Sequence, residues 1–307
     1  MKHVLSASAF TQEEISEIFG LADKLKNNEI MYSYRAKGKI LGSLFFEPST
    51  RTRWSTEVAM IRLGGEVLSM EHAKESSSDR KGESLRDTIK TCSQYVDALV
   101  VRHPVERSIQ EAALYSDVPV INGGDGSNEH PTQALLDLYT ITRHFKNLDD
   151  KRILFTGDLD YSRTVHSLIK LLNVFNQHNV WIAGEGGMGL SCPNNPVTHL
   201  YHEDLYNALP KIDILYMTRH QVERKSPREK SQFVLTKELA CTMKKDAIIM
   251  HPLPRTSELP PEVDDNHRSV YFEQAKNGMW IRMALLWKLL GIGQDDVRTF
   301  CDSTAVE

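Results

Sequence analysis

Apolar and polar positions along this 307-residue chain fall into blocks, and the blocks switch repeatedly between two periods. Short apolar runs at residues 40–46, 66–70, 97–101, 118–121, 152–155, 180–183, 212–216 and 247–250 predict strands, mostly buried on both faces. Between them, apolar residues spaced three or four apart predict helices near 54–63, 84–95, 106–115, 131–145, 164–174 and 283–290. At the start, Thr11-Gln12-Glu13-Glu14 has the form of a capping box, with Phe10 placed to staple it. Ile15, Ile18, Phe19, Leu21, Ala22 and Leu25 then recur at helical spacing. Strands that alternate with helices predict an α/β protein of two doubly wound domains with mainly parallel sheets. The polar stretch Asn147-Leu148-Asp149-Asp150-Lys151 reads as the junction. The expected domains are therefore 1–146 and 147–279, with a C-terminal helical segment, 280–307, packing back on the first.

The polar residues that follow these runs are not placed at random. Ser49 and Arg51 follow the run 40–46, Arg102 follows 97–101, and the loop carrying His130 follows 118–121. Arg163 follows 152–155, Thr218-Arg219-His220-Gln221 follows 212–216, and His251-Pro252-Leu253-Pro254-Arg255 follows 247–250. Open α/β sheets bind ligands beyond the carboxyl ends of their strands. Six loops thus bring hydrogen-bonding or cationic groups to the ends where two such sheets can face one cleft. Arg51, Arg102, Arg163, Arg219 and Lys81 form a cationic set without a matching set of carboxylates in the same loops, Glu47 and Asp158 being the nearest. Guanidinium groups grip carboxylate and phosphate in a fork, so the set suits substrates carrying several negative charges.

The most specific stretch is Phe45-Phe46-Glu47-Pro48-Ser49-Thr50-Arg51-Thr52-Arg53. A strand, a turn rich in hydroxyls and arginine, and a helix start gather N–H groups, hydroxyls and a guanidinium around one point, as a phosphate site requires. A plain N-cap followed by surface arginines accounts for Ser49-Thr50 alone, but not for the alternation through Arg53. No Gly-x-x-x-x-Gly-Lys precedes the helix, so this is not a Walker loop. A long polar loop at 71–82 contains Ser76-Ser77-Ser78-Asp79-Arg80-Lys81, and loops of that length are often functional.

Composition narrows the class further. The net charge of −4 gives no reason to expect nucleic acid. Cys92, Cys192, Cys241 and Cys301 are scattered, without a Cys-x-x-Cys, and read as reduced structural thiols. The first residues lack the apolar core of a signal peptide, and no run approaches the ~20 apolar residues of a membrane span. A cytosolic enzyme fits these features.

Ser49-Thr50-Arg51-Thr52-Arg53 resembles the carbamoyl-phosphate signature of the aspartate/ornithine carbamoyltransferase family, and the likeness extends over nearly the whole chain. The resemblance implies transfer of a carbamoyl group from carbamoyl phosphate to the amine of L-aspartate, an early step of de novo pyrimidine synthesis, without metal or other cofactor. It assigns carbamoyl phosphate to Ser49, Thr50, Arg51, Thr52, Arg102, His130 and Gln133, joined by Ser77 and Lys81 of a neighbouring subunit. Thr52, Arg102, His130 and Lys81 are the expected catalytic residues. His130 stands at a helix start, which favours a neutral imidazole acting as a hydrogen-bond donor. Aspartate is assigned to Arg163, Arg219, Gln221 and Lys81, with the backbone carbonyls of Pro252 and Leu253. The segments 158–167 and 216–224 are similar to those that grip aspartate, and Pro252 stands where the ornithine branch has cysteine. A cationic ornithine side chain would also find Arg219 a poor neighbour. Borrowed Ser77 and Lys81 imply a homotrimer with shared sites between subunits, and leave room for separate regulatory chains. Trp54 and Thr56 depart from many relatives, which bears on packing under the phosphate turn. Gly184-Glu185-Gly186-Gly187-Met188-Gly189 fits a dinucleotide-binding pattern, but Pro193 and Pro196 interrupt the helix it should open. A non-catalytic relic of the family is the other rival, against which Ser49, Arg51, Lys81, Arg102 and His130 all stand intact.

Overall fold

A computed structural model describes residues 1–71, 82–175, 179–185, 197–200, 205–219 and 233–293. Contacts divide the chain into two units, Met1–Thr132 with Gly278–Glu307, and Gln133–Asn277.

The first unit begins with α1 (Gln12–Asn27), closed by the capping box of Thr11 and Glu14, and the single turn α2 (Glu29–Tyr32). Four strands follow, β1 (Ile40–Phe45), β2 (Glu66–Glu71), β3 (Ala98–His103) and β4 (Val120–Asp125), all parallel in the order β2-β1-β3-β4. Helices α3 (Thr50–Arg62), α4 (Leu85–Cys92) and α5 (Ser108–Tyr115) make the crossovers. Leu44, Leu99, Val101 and Val120 from the strands pack on Ile89, Ile109 and Ala112 from α4 and α5, whereas the edge strand β2 is exposed or half-buried throughout, unlike the buried run expected there. Trp54 is 59% exposed, whereas Thr56 is buried and donates to the Thr52 carbonyl at 2.7 Å. The second of these departures from the family therefore packs within the helix rather than against it.

The second unit contains α6 (Pro131–His144, its first two residues counted with the first unit), β5 (Ile153–Asp158), α7 (Arg163–Val174), β6 (Val180–Glu185), β7 (Val197–Leu200), α8 (Leu205–Ala208), β8 (Ile214–Met217), α9 (Lys237–Thr242) and β9 (Ile248–Met250). Among the described residues its five strands are parallel in the order β7-β6-β5-β8-β9. The division falls earlier than the junction expected at Asn147. Buried polar groups on α6 explain where α6 belongs: Asp137 accepts from the Tyr216 hydroxyl at 2.7 Å and from Gln274 at 2.6 Å, and Thr140 accepts from Asn277 at 3.0 Å.

The final helix, α10 (Tyr271–Leu289), starts well before the expected residue 283. Its first half buries Gln274 and Asn277 in place of apolar residues, and Arg282 is buried just beyond, so its periodicity is hidden in the sequence. Within the first unit, Trp287 meets Tyr32 edge-on at 5.4 Å, and Arg62 lies over Trp280 at 5.8 Å. The loop that leads to His130 also begins later than the run 118–121 predicts: Gly123 and Gly124 are buried inside β4. A Cβ at Gly123 would lie 3.2 Å from the Val101 carbonyl of β3, where the register shifts. Among the described residues, no helix is long and apolar enough to cross a membrane, and no group of three His, Cys, Asp or Glu side chains is arranged for a metal ion.

Candidate active site

Parallel sheets open a crevice where the strand order reverses, because successive crossovers there leave in opposite directions. In the first unit that reversal lies between β1 and β3. Phe45 pairs with Arg102, and Phe46 N–H donates to the Arg102 carbonyl at 2.9 Å, so the turn after β1 and Arg102 are held side by side. Ser49 is the N-cap of α3 in extended conformation, yet its hydroxyl makes no capping bond. The first-turn N–H groups of any helix lack intrahelical partners, and together with the positive end of the dipole they favour an anion.

The two arginines of the signature differ in their surroundings. Arg53 is tied to Glu57 and Glu71, whereas Arg51 and Thr50 are exposed. Arg102 is half-buried, its Nε 2.7 Å from Glu47 Oε1.

His130 is held by the turn before α6. Asp125, fully buried, accepts from the backbone N–H of Arg107 and Glu129 and from Asn128 at 2.9–3.0 Å. Glu129 accepts from Ser6 Oγ at 2.7 Å and from Ala7 N–H at 2.8 Å. The imidazole, 3% exposed, lies between Thr52 Oγ1, 3.0 Å from Nε2, and Thr132 Oγ1, 3.4 Å from Nδ1. Arg282, which can only donate, bonds to Thr132 Oγ1 at 3.1 Å. With Thr132 accepting from Arg282, its own proton can go to Nδ1, an arrangement in which Nε2–H is the donor on the Thr52 side. Thr52, His130, Thr132 and Arg282 thus form one buried chain.

In the second unit the order reverses between β5 and β8. Arg163 opens α7 after β5, and Arg219 follows β8; both are half-buried. Thr218 N–H bonds to the Thr156 carbonyl at 2.9 Å. The chain passes so close to Gly157 (φ +108°) that a Cβ there would lie 2.1 Å from the Thr218 carbonyl oxygen. Only glycine lets β8 deliver Arg219 alongside the β5 loop.

Beyond β9, Pro252 and Leu253 are half-buried, and the Leu253–Pro254 peptide is cis. His251 N–H donates to Gln274 Oε1 at 3.0 Å, and His251 Nδ1 accepts from Leu253 N–H at 2.9 Å. Nε2 must then carry the proton it shares with Glu258 Oε1 at 3.1 Å. Burial works against the Glu258 charge, but bonds from His251, from the hydroxyl and N–H of Thr256, and from its own N–H outweigh it and hold the carboxyl at about 2. This carboxylate and Asp137 were not among the expected site residues, and both anchor segments that carry them. A lowered folded-state value stabilises above the ordinary carboxylate range and is lost as pH falls toward 2. Glu258→Gln is therefore expected to cost about 3 kcal/mol near neutrality and to flatten the fall of stability between pH ~4.5 and ~2, as measured by urea unfolding across that range. Equal acid sensitivity in both proteins would contradict it.

Ser77, Lys81 and Gln221 lie outside the described residues, as do residues 186–189 of the glycine pattern. Of the other expected residues, Ser49, Thr50, Arg51, Thr52, Arg102 and His130 belong to the first unit, and Gln133, Arg163, Arg219, Pro252 and Leu253 to the second.

Two parallel α/β units, each with arginines at its reversal of strand order, define a two-domain α/β protein built to hold small anionic molecules. The profile of the aspartate/ornithine carbamoyltransferase carbamoyl-P binding domain matches residues 2–143, and that of the family's Asp/Orn binding domain matches residues 149–289. The chain belongs to the aspartate/ornithine carbamoyltransferase family. It is 46% identical to an aspartate carbamoyltransferase catalytic subunit of Clostridium perfringens, covering 94% of this chain and 98% of the relative. The catalytic subunit of M. jannaschii aspartate transcarbamoylase superposes with a TM-score of 0.83 at 43% identity, covering 96% and 99% of the two chains. Trypanosoma cruzi aspartate transcarbamoylase, crystallised with carbamoyl phosphate and aspartate, gives 0.84 at 36% identity, covering 94% and 96%.

Proposed function

We infer that this chain transfers the carbamoyl group of carbamoyl phosphate to the amine of L-aspartate, giving N-carbamoyl-L-aspartate and phosphate in pyrimidine synthesis. The observation that carries this reading is the match of the two family domains, in order, over 2–143 and 149–289. Aspartate is favoured over ornithine by the names of the relatives, by Pro252, and by the cationic Arg219. The test is carbamoyl transfer with aspartate, with ornithine and with no acceptor. Carbamoyl-aspartate and phosphate formed in equal amounts support the reading, and preferential use of ornithine overturns it.

In the proposed mechanism the aspartate amine attacks the carbamoyl carbon, the carbonyl oxygen takes up the electron pair, and collapse breaks the C–O bond to phosphate. The departing phosphate is basic enough to accept the amine proton, and no covalent enzyme intermediate is needed. Ser49, Thr50, Arg51 and the α3 N-terminus hold phosphate. Thr52, Arg102 and the Nε2–H of His130 supply the donors for the developing oxyanion, with Lys81 assisting. Donors fixed in place before reaction lose no energy to reorganisation, and each is worth about 10²–10³ in turnover. Gln133 and the carbonyls of Pro252 and Leu253 receive the carbamoyl and amine N–H groups, while Arg163, Arg219 and Gln221 take the aspartate carboxylates.

The proposal includes a cytoplasmic homotrimer in which Ser77 and Lys81 complete the site of a neighbouring subunit. The scattered cysteines support the compartment. An exposed apolar stripe on α3, Trp54, Val58 and Ile61, supports self-association. Naming of the bacterial relatives as catalytic subunits supports a place for regulatory chains. Lys81→Gln and Arg51→Ala proteins, each inactive alone, are expected to regain part of the activity when dissociated and reassembled together. Hybrids that stay inactive, or a monomer by sedimentation, would rule out shared sites.

A further inference from the structure

Asp137, midway along α6 and fully buried, is the acceptor for three donors. Gln133 Nε2 reaches Oδ1 at 2.9 Å, Gln274 Nε2 reaches the same oxygen at 2.6 Å, and the Tyr216 hydroxyl reaches Oδ2 at 2.7 Å. Burial raises the Tyr216 hydroxyl well above its ordinary value, and the Asp137 charge adds to the shift, so this partner stays a donor. An ionised carboxylate can only accept. Each glutamine must therefore turn its NH2 end to Asp137 and its carbonyl oxygen away. For Gln274 an independent partner agrees: its Oε1 accepts from the backbone N–H of His251, which can only donate.

Gln133 has the same constraint at its NH2 end. Its amide is half-buried, and the orientation that satisfies Asp137 presents Oε1, an acceptor, on the other side. Through Gln274, the same carboxylate also holds the first residue of the loop whose carbonyls at Pro252 and Leu253 are the other acceptors. All three acceptors are matched to a ligand NH2 group, and Asp137 orients two of the segments that supply them.

We propose that Asp137 is a positioning residue that sets donor specificity: by taking the Gln133 NH2, it fixes the Gln133 oxygen toward the carbamoyl NH2 and so favours carbamoyl phosphate over acetyl phosphate. This rests on the reading of Gln133 as a carbamoyl contact. The two donors differ by NH2 against CH3, groups of similar size, so shape contributes little to choosing between them. Hydrogen bonding makes the choice, because a methyl group leaves the buried acceptor unpaired. With Asp137 absent, the Gln133 amide is free to turn over and present NH2 to NH2.

The readout is the ratio of kcat/KM for carbamoyl phosphate to that for acetyl phosphate, with aspartate as acceptor. Asp137→Ala leaves space for water, which satisfies the buried donors but donates as readily as it accepts, and so does not dictate the amide orientation. This variant is expected to lower the ratio about 10- to 100-fold. Asp137→Asn is expected to keep it within a few-fold, since Asn Oδ1 still accepts from both glutamines and the Tyr216 hydroxyl turns to accept from Nδ2. Tyr216→Phe, which leaves both amide bonds in place, is expected to keep it too. A purely structural role would lower both donors together and leave the ratio unmoved, which overturns the proposal. If the alanine protein does not fold, loss of the ratio in Asp137→Asn or Tyr216→Phe overturns it instead, and retention in both supports it. Gln133→Met separates the two layers. An unchanged ratio there removes the underlying reading of Gln133, whereas a lowered ratio there with a normal one in Asp137→Ala removes only the role of Asp137.

Discussion

Arg51→Ala is expected to lower kcat/KM for carbamoyl phosphate by about 10³-fold or more, measured by initial rates at saturating aspartate. The phosphate is bound as a dianion and leaves with more charge on its bridging oxygen than it had in the ground state. A guanidinium beside it therefore stabilises the transition state more than the substrate, so both KM and kcat change. Arg51→Lys keeps the charge but not the planar fork, and only partial recovery is expected. The neighbouring arginine is the internal control. Arg53 is engaged with Glu57 and Glu71, so Arg53→Ala is expected to act on stability and to leave the carbamoyl-phosphate dependence close to normal. Near-normal turnover in Arg51→Ala would count decisively against the proposed phosphate cradle.

Arg219→Ala is expected to raise the KM for aspartate about 100-fold with a smaller effect on the carbamoyl-phosphate dependence, read from full saturation curves in both substrates. A bidentate guanidinium–carboxylate contact is charge-assisted and directional, and losing it also leaves an anionic group without compensation. The position of Arg219 depends on the close passage of Thr218 over Gly157, so Arg219→Lys cannot restore the contact by shifting the backbone. An unchanged aspartate curve would remove Arg219 from the acceptor site.

The parts of the molecule that were plain in the sequence are those governed by local physics. β1 follows from an apolar run and the α1 cap from Thr11 and Glu14, whereas α3 starts at Thr50, ahead of the expected residue 54. Arg102 and Glu47, the nearest acidic partner in its loop, do meet, because both sit at the carboxyl ends of neighbouring strands. What remained hidden depends on partners far apart in the chain. Asp137 and Gln274 look like ordinary solvent-facing helix residues until the fold buries them against each other. The same burial concealed the first half of α10, where Gln274 and Asn277 fill positions that a helix normally gives to leucine. β7 is only four residues long and interleaves polar residues, so it carries no pattern to detect. Glu258 announced nothing either, since its role comes from bonds that only the folded loop provides, from the His251 ring and from Thr256.

Each reversal of strand order supplies its own arginines from within a single sheet, and this has an evolutionary corollary. On the proposed assignments, the phosphate cradle after β1 and the carboxylate-binding arginines after β5 and β8 draw on different stretches of polypeptide. Changes after β5 and β8 can then retune the recipient without disturbing the cradle after β1, in keeping with a family whose second domain is described as binding aspartate or ornithine.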